Sequence, residues 1–272
     1  MASFRFSVLV ITISLVIVTA YSTLDADETI EFGYVGPKGP DKWGSLDPKF
    51  AVCADGKAQS PIDISRTKAT PNNQLRALSR DYYSAGAKLV NNGFNIAVHF
   101  DSSAGTMNID GKNYSLLQLH WHTPSEHTMD GKQLDAELQL VHKADDGSMS
   151  ITGILYQVGN GDSFLGRVQK HLKELAKDKC GPNEHSEIPL GNLSTRQLKR
   201  STRNYFRYTG SFTTPPCTEN VTWIIFGKPS SMSQQQIDAL KAPMEEAYKM
   251  NARPVQPDNG RPVNLHDEPK KV

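Results

Sequence analysis

The chain has 272 residues, with 30 Lys and Arg against 29 Asp and Glu and a net charge of +1. So even a balance excludes the basic surface that nucleic acid or an anionic membrane would require, and it points to a small or neutral partner. The roughly 250 residues that follow a short leader read as one domain, because no Pro/Gly/Ser-rich linker, composition shift or repeat divides them.

Residues 1–22 read as a secretory signal. Arg5 stands near the start, an apolar run extends from Val8 to Val18, and Ala20-Tyr21-Ser22 supplies a small-x-small exit. The run falls well short of the roughly 20 residues a membrane-spanning helix needs, so the leader is expected to be removed. The mature domain is then 23–272, with its core over about 32–263, located outside the cell or in a vacuole reached by the secretory pathway. In such a compartment Cys53, Cys180 and Cys217 imply one disulfide and one leftover thiol, with three pairings open. Cys180 falls in the polar run from Lys177 to Gly181, as a surface thiol or a bridge to a second chain.

After the leader, the aromatic and Gly-rich segment from Phe32 to Gly44, with Pro37 and Pro40, predicts an irregular arm laid over the fold. Gln59 to Ile64 is short and extended. Leu89–Phe94 and Ile96–Phe100 predict two strands meeting at a Gly-containing bend. Further strands are expected at Thr106–Ile109, Tyr114–His122, Ala136–His142, Ser150–Val158, Tyr205–Tyr208 and Val221–Phe226. Two helices stand out. Phe164, Leu165, Val168, Leu172 and Leu175 form an apolar stripe after Asp162, and Ser233 with Gln236 makes a capping-box pattern before Ile237 and Leu240. The chain is therefore mainly β (α+β by count), a large twisted and mostly antiparallel sheet with a few peripheral helices. Asn113, Asn192 and Asn220 begin glycosylation sequons. Asn192 has the most loop-like surroundings, whereas Asn220 opens a strongly apolar strand.

The chemistry gathers between Gln118 and His142. On a strand, His120 and His122 project from one side about 7 Å apart, a metal-ligand spacing. A turn carrying Asp130-Gly131 favours a reversal into the run Glu137 to His142, which would supply a third ligand. Gln139 stands where that ligand is expected. His127 and His142 read as buried, hydrogen-bonded histidines, and His99, His171, His185 and His266 as solvated ones.

Gln59-Ser-Pro-Ile62, Asn91-Asn-Gly93, His120-Trp-His122, Ser125-Glu-His127, Ala136-Glu137, Gly210 to Cys217, Val221-Thr-Trp223 and Asn251-Ala-Arg253-Pro254 occur in the order of a known pattern. The chain resembles the alpha-class carbonic anhydrases, and in style their secreted plant branch of nectarins and dioscorins. The resemblance implies a zinc ion held by three His, whose bound water ionises near neutral pH and hydrates carbon dioxide to bicarbonate. It assigns His120 and His122 to the first two ligands and Gln139 to the third. It makes Gln118 and Glu137 the groups that orient them, and Glu126 and Thr213 the hydroxide-orienting pair. Val221, Thr214, Trp223 and Phe212 fall at the substrate walls, Phe94 at the position of a proton-shuttling His, and Cys53 with Cys217 at a disulfide.

Gln139 offers a neutral amide oxygen, a poorer zinc donor than imidazole, and Phe94 cannot carry a proton. The expectation is a carbonic-anhydrase-like protein, monomer or homodimer, with weak or absent zinc occupancy and weak or absent activity. The alternatives are a working anhydrase with an unusual ligand set, and a dioscorin-like storage or binding protein whose metal-free pocket takes a small ligand such as ascorbate.

Overall fold

The computed structural model describes residues 32–177, 185–199 and 201–268. The leader and Cys180 lie outside the described residues. Among these, thirteen strands join one sheet.

Lys112–His122 is the strand that sets the site. Tyr114 and Leu116 face one core, and strict alternation would send Gln118, His120 and His122 into that same core. They do not go there. Val141 pairs with Gln118 and the next residue, His142, pairs with Leu116, so Leu117 is an extra, bulged residue. A bulge inverts the side-chain phase beyond it, so Leu119 and Trp121 take up the core positions while the two His face the opposite side.

The neighbours on either flank are antiparallel: Ile96–Phe100 on one side and Ala136–Lys143 on the other. Beyond Ala136–Lys143 come Met149–Val158, then Glu219–Phe226 paired parallel to it, then Asn204–Ser211 paired antiparallel. Most other pairings are antiparallel as well, as the sequence predicts. Asp130 and Gly131, with φ of 51° and 77°, close a small hairpin between Thr128–Met129 and Lys132–Gln133 that belongs to a separate three-stranded sheet. The turn thus lies between the two long strands without joining them directly.

The sheet has apolar residues on both faces. One face buries Leu119, Trp121, Leu138 and Leu140 against the helix Ser163–Leu175. All five residues of that helix's expected stripe are buried, each contributing roughly 1.5–3 kcal/mol, and Asp162 caps the helix by accepting from Leu165 N at 2.8 Å. Helix Gln234–Lys241 carries the expected capping box. The other face collects Ile62, Val141, Ile151, Phe206, Tyr208 and Trp223, and His120 and His122 turn to this side.

Some expectations change in detail. The first strand of the Gly93 hairpin is Ala85–Asn91, and the chain turns through Gly93 at φ 79° before Ile96–Phe100. The arm is partly helical: Trp43–Leu46 is a helical turn with Trp43 fully buried. Asn192 is not in a loop; it lies on the edge strand Ser186–Leu193, exposed to solvent. Asn113 and Asn220 are exposed too, so packing does not set Asn220 apart. His99, His171 and His266 are half-buried rather than solvated. Cys53 and Cys217 form a disulfide across 164 residues, tying the N-terminal segment to the loop that carries Thr213 and Thr214.

Candidate functional site

Across the antiparallel pair, Gln139 lies directly opposite His120 and Glu137 opposite His122. Side chains in such register share a face with their Cβ atoms about 5 Å apart. The imidazoles of His120 and His122 meet edge to face, with centroids 5.1 Å apart.

Gln139 is fully engaged. Its Nε2 donates to Glu126 Oε2 at 2.7 Å and to Glu137 Oε1 at 3.2 Å, and its Oε1 lies 3.1 Å from His120 Nε2. Burial, with His122 next to it, lowers the His120 pKa to about 3, so His120 is neutral and has one N–H to give. Two carboxylates fix the Gln139 nitrogen as donor, which leaves its oxygen facing His120 Nε2, so the one N–H of the neutral imidazole has an amide oxygen to meet at either ring nitrogen. Gln118 Oε1 lies 3.1 Å from His120 Nδ1.

His122 is oriented by the main chain. Its Nδ1 donates to the Asn251 main-chain oxygen at 2.7 Å, leaving a lone pair on Nε2. That nitrogen is buried without a hydrogen-bond partner and stands 3.4 Å from Glu126 Oε2.

The carboxylates are held from behind. Burial raises the Glu126 carboxyl above its ordinary range, against the opposing pull of His122 and of hydrogen bonds from Thr213 and the Arg253 main chain. Burial acts to raise Glu137 as well, but His127 outweighs it and holds this carboxyl below its ordinary range. Glu137 accepts from the main-chain nitrogens of Glu126 and His127 and pairs with His127 Nδ1 at 2.9 Å. Its side chain is hydrogen-bonded to His127 and Gln139. His127 Nε2 meets the Tyr208 hydroxyl at 2.7 Å, which in turn meets Ser60 Oγ at 2.8 Å.

The walls come from the loop after Asn204–Ser211. Thr213 is buried, Thr214 and Phe212 half-buried, and Val221 and Trp223 buried behind them. Phe94 is half-buried, its ring 5.1 Å from Phe32 and its carbonyl bonded to the Asn251 side chain at 2.9 Å. Asn251, Tyr208 and Ser60 are the positioning residues to which sequence reasoning gives no role. Asn251 and Ser60 nevertheless stand in two of the quoted motifs.

A tightly held zinc of the kind the resemblance implies needs three lone pairs converging on one point. Here His120 and His122 can supply at most two imidazole lone pairs, and the third position is the neutral amide oxygen of Gln139, which already faces His120 Nε2. Among the described residues no three His, Cys, Asp or Glu side chains group to hold a metal ion. This donor set does not fit the three-histidine centre.

Comparison with known proteins agrees with the architecture. The sequence model of the eukaryotic-type carbonic anhydrases matches residues 38–267. Alpha carbonic anhydrase 7 of Arabidopsis thaliana is 38% identical over 244 residues, 89% of this chain and 87% of its own. Dioscorin dioA3 of Dioscorea japonica is 36% identical over 242 residues, 88% of each chain. The crystal structure of dioscorin complexed with ascorbate superimposes with a TM-score of 0.84 at 36% identity, covering 90% of this chain and 100% of that one. With one family matched along most of its length and that family's strand framework under its pocket, the chain belongs to the eukaryotic-type, alpha-class carbonic anhydrases.

Proposed function

We propose that this protein is a secreted member of the family that holds zinc weakly or not at all and hydrates carbon dioxide weakly or not at all. The observation that carries the reading is the Gln139 amide, bound at one end by two buried carboxylates and at the other by His120 Nε2. Zinc would have to break the contact between Gln139 and His120, and would gain only a neutral amide oxygen where the family's centre has a third imidazole. Passage through an oxidising compartment is supported by the Cys53–Cys217 disulfide. The test is stopped-flow carbon dioxide hydration with zinc added. Rates near the uncatalysed background are expected, and rapid hydration blocked by a sulfonamide would overturn the proposal in favour of a working anhydrase with an unusual ligand set.

A second reading concerns what the pocket takes instead. His122 Nε2 is a buried acceptor without a donor, with Gln118, Thr213 and Thr214 nearby, which suits a small hydroxylated molecule whose O–H points at His122. A related protein has been crystallised with ascorbate, and ascorbate has that chemistry. Titration of ascorbate should shift the His122 ring resonances. Binding that leaves every pocket side chain unperturbed would exclude this reading.

A further inference from the structure

A cavity of about 720 Å³ lies among segment 72–76, the Asp110-Gly111 turn, residues 207–209, Thr222 and residues 261–264. None of His120, His122, Gln139, Thr213 or Thr214 lines it. Three guanidinium groups do, those of Arg76, Arg207 and Arg261, against a single carboxylate, Asp110. Arg207 NH1 pairs with Asp110 Oδ2 at 2.5 Å, and Arg261 feels the carboxylates of Glu219 and Asp258 from outside the cavity, so Arg76 is the guanidinium with no carboxylate beside it in the lining.

The arginines differ in what they can still give. Arg261 is held in place by main-chain oxygens of Gln59, Thr209, Pro257 and Asp258. Arg76 spends only NH1, on the Asn73 and Leu75 carbonyls, so its Nε and NH2 have N–H groups to offer. Arg207 likewise bonds through NH1 alone. A planar guanidinium with two free, parallel donors matches a carboxylate.

Uncharged polar groups make up most of the remaining wall. Asn72, Gln74, Asn264, Thr209 and Thr222 contribute amides and hydroxyls, and Leu75, Tyr208 and Pro262 are the only apolar or aromatic side chains. Amides and hydroxyls pair with hydroxyls, and the apolar share of the wall, to which Leu75, Tyr208 and Pro262 contribute, suits the faces of sugar rings. The volume is that of a small-molecule site and far exceeds what one inorganic anion fills. We infer that this cavity binds a carboxylate-bearing sugar, a uronate oligosaccharide of two or three rings, with Arg76 and Arg207 on its carboxylates and the amides on its hydroxyls.

The test is calorimetric titration of the full chain with trigalacturonate, neutral maltotriose and sodium sulfate, at low and high salt. Trigalacturonate is expected to bind at least tenfold more tightly than either of the others, and to weaken as salt screens the pocket. Arg76→Gln and Arg207→Gln should each weaken it about tenfold or more, the usual loss when one charge-assisted pairing is removed, while Lys170→Gln on helix Ser163–Leu175 should not. Arg76 makes only local main-chain bonds, so its variant remains informative if losing the partner of Asp110 disturbs the fold. Absence of trigalacturonate binding, maltotriose or sulfate within tenfold of it, or unchanged affinity in Arg76→Gln would overturn the inference. The site shares no ligand-binding residue with the histidine pocket, so its failure and that of the proposed function read out separately.

Discussion

Gln139 stands directly opposite His120 on the neighbouring strand, and its Oε1 lies 3.1 Å from His120 Nε2. The amide thereby takes up the imidazole nitrogen that a metal would need, and its own nitrogen is tied to Glu126 and Glu137. Gln139→His should release His120 and restore a third imidazole. Losing a partner that merely orients a ligand costs about 10 to 100-fold in metal affinity, so zinc affinity measured against a chromophoric chelator should rise by at least that much. An unchanged affinity would place the defect elsewhere in the pocket.

Phe94 is a separable loss. Its ring packs on Phe32 and it has no titratable group. Phe94→His alone should change nothing in hydration, whereas in a Gln139→His background it should raise turnover in dilute buffer by on the order of 10²-fold, the lower end of general acid–base catalysis. Equal turnover in the single Gln139→His and the double variant would show that the proton leaves by another route.

His142 gives a pH dependence remote from that chemistry. It is buried, its Nδ1 donates to the Leu140 carbonyl at 3.0 Å, and its Nε2 accepts from the Tyr82 hydroxyl at 2.7 Å. Burial lowers its pKa from 6.5 to about 4. Between those values the unfolded chain binds the extra proton and the folded one does not, so stability is full above pH 6.5 and falls as pH drops toward 4, by roughly 3 kcal/mol. His142→Gln keeps an acceptor for Tyr82 and does not titrate. Urea denaturation at pH 4.5 and 7 should show a smaller difference for the variant, and an equal difference would clear His142 of the role.

The sequence already contains much of this framework, because strand alternation, helix stripes and turn residues are local signals. Asp162 and Ser233 cap the helices where their side chains predict. The edge strand Ser186–Leu193 is invisible for a physical reason. It is mostly exposed, so no apolar alternation marks it, and its register shifts between Pro189 and Gly191. The Leu117 bulge is equally hidden. Reading His120 and His122 as one wall needs only their spacing, but which face that wall takes depends on an inserted residue that no pattern announces. At the pocket, Gln139 can be read as an anomaly from its position alone. That its amide bridges two carboxylates to His120 depends on Glu126, which is brought in by the Ser125–His127 segment and held by Arg253 N at 3.0 Å.

The disulfide closes a 164-residue separation, and in the chain-entropy model such a loop is worth about 5 kcal/mol. Cys53→Ser with Cys217→Ser should therefore lower the melting temperature by about 10 to 20 °C, at roughly 2–4 °C per kcal/mol for a domain of this size. Arg253 NH2 also bonds the Cys53 carbonyl at 2.9 Å, so local order there should survive. A melting temperature unchanged by calorimetry would mean that the bridge constrains the unfolded chain very little.

Zinc content tests the central claim most directly. The protein, purified and equilibrated with buffered zinc at a known free concentration, is analysed for metal per chain by mass spectrometry. Occupancy well below one zinc per chain at micromolar free zinc is the predicted result, and one tightly retained zinc per chain would contradict it.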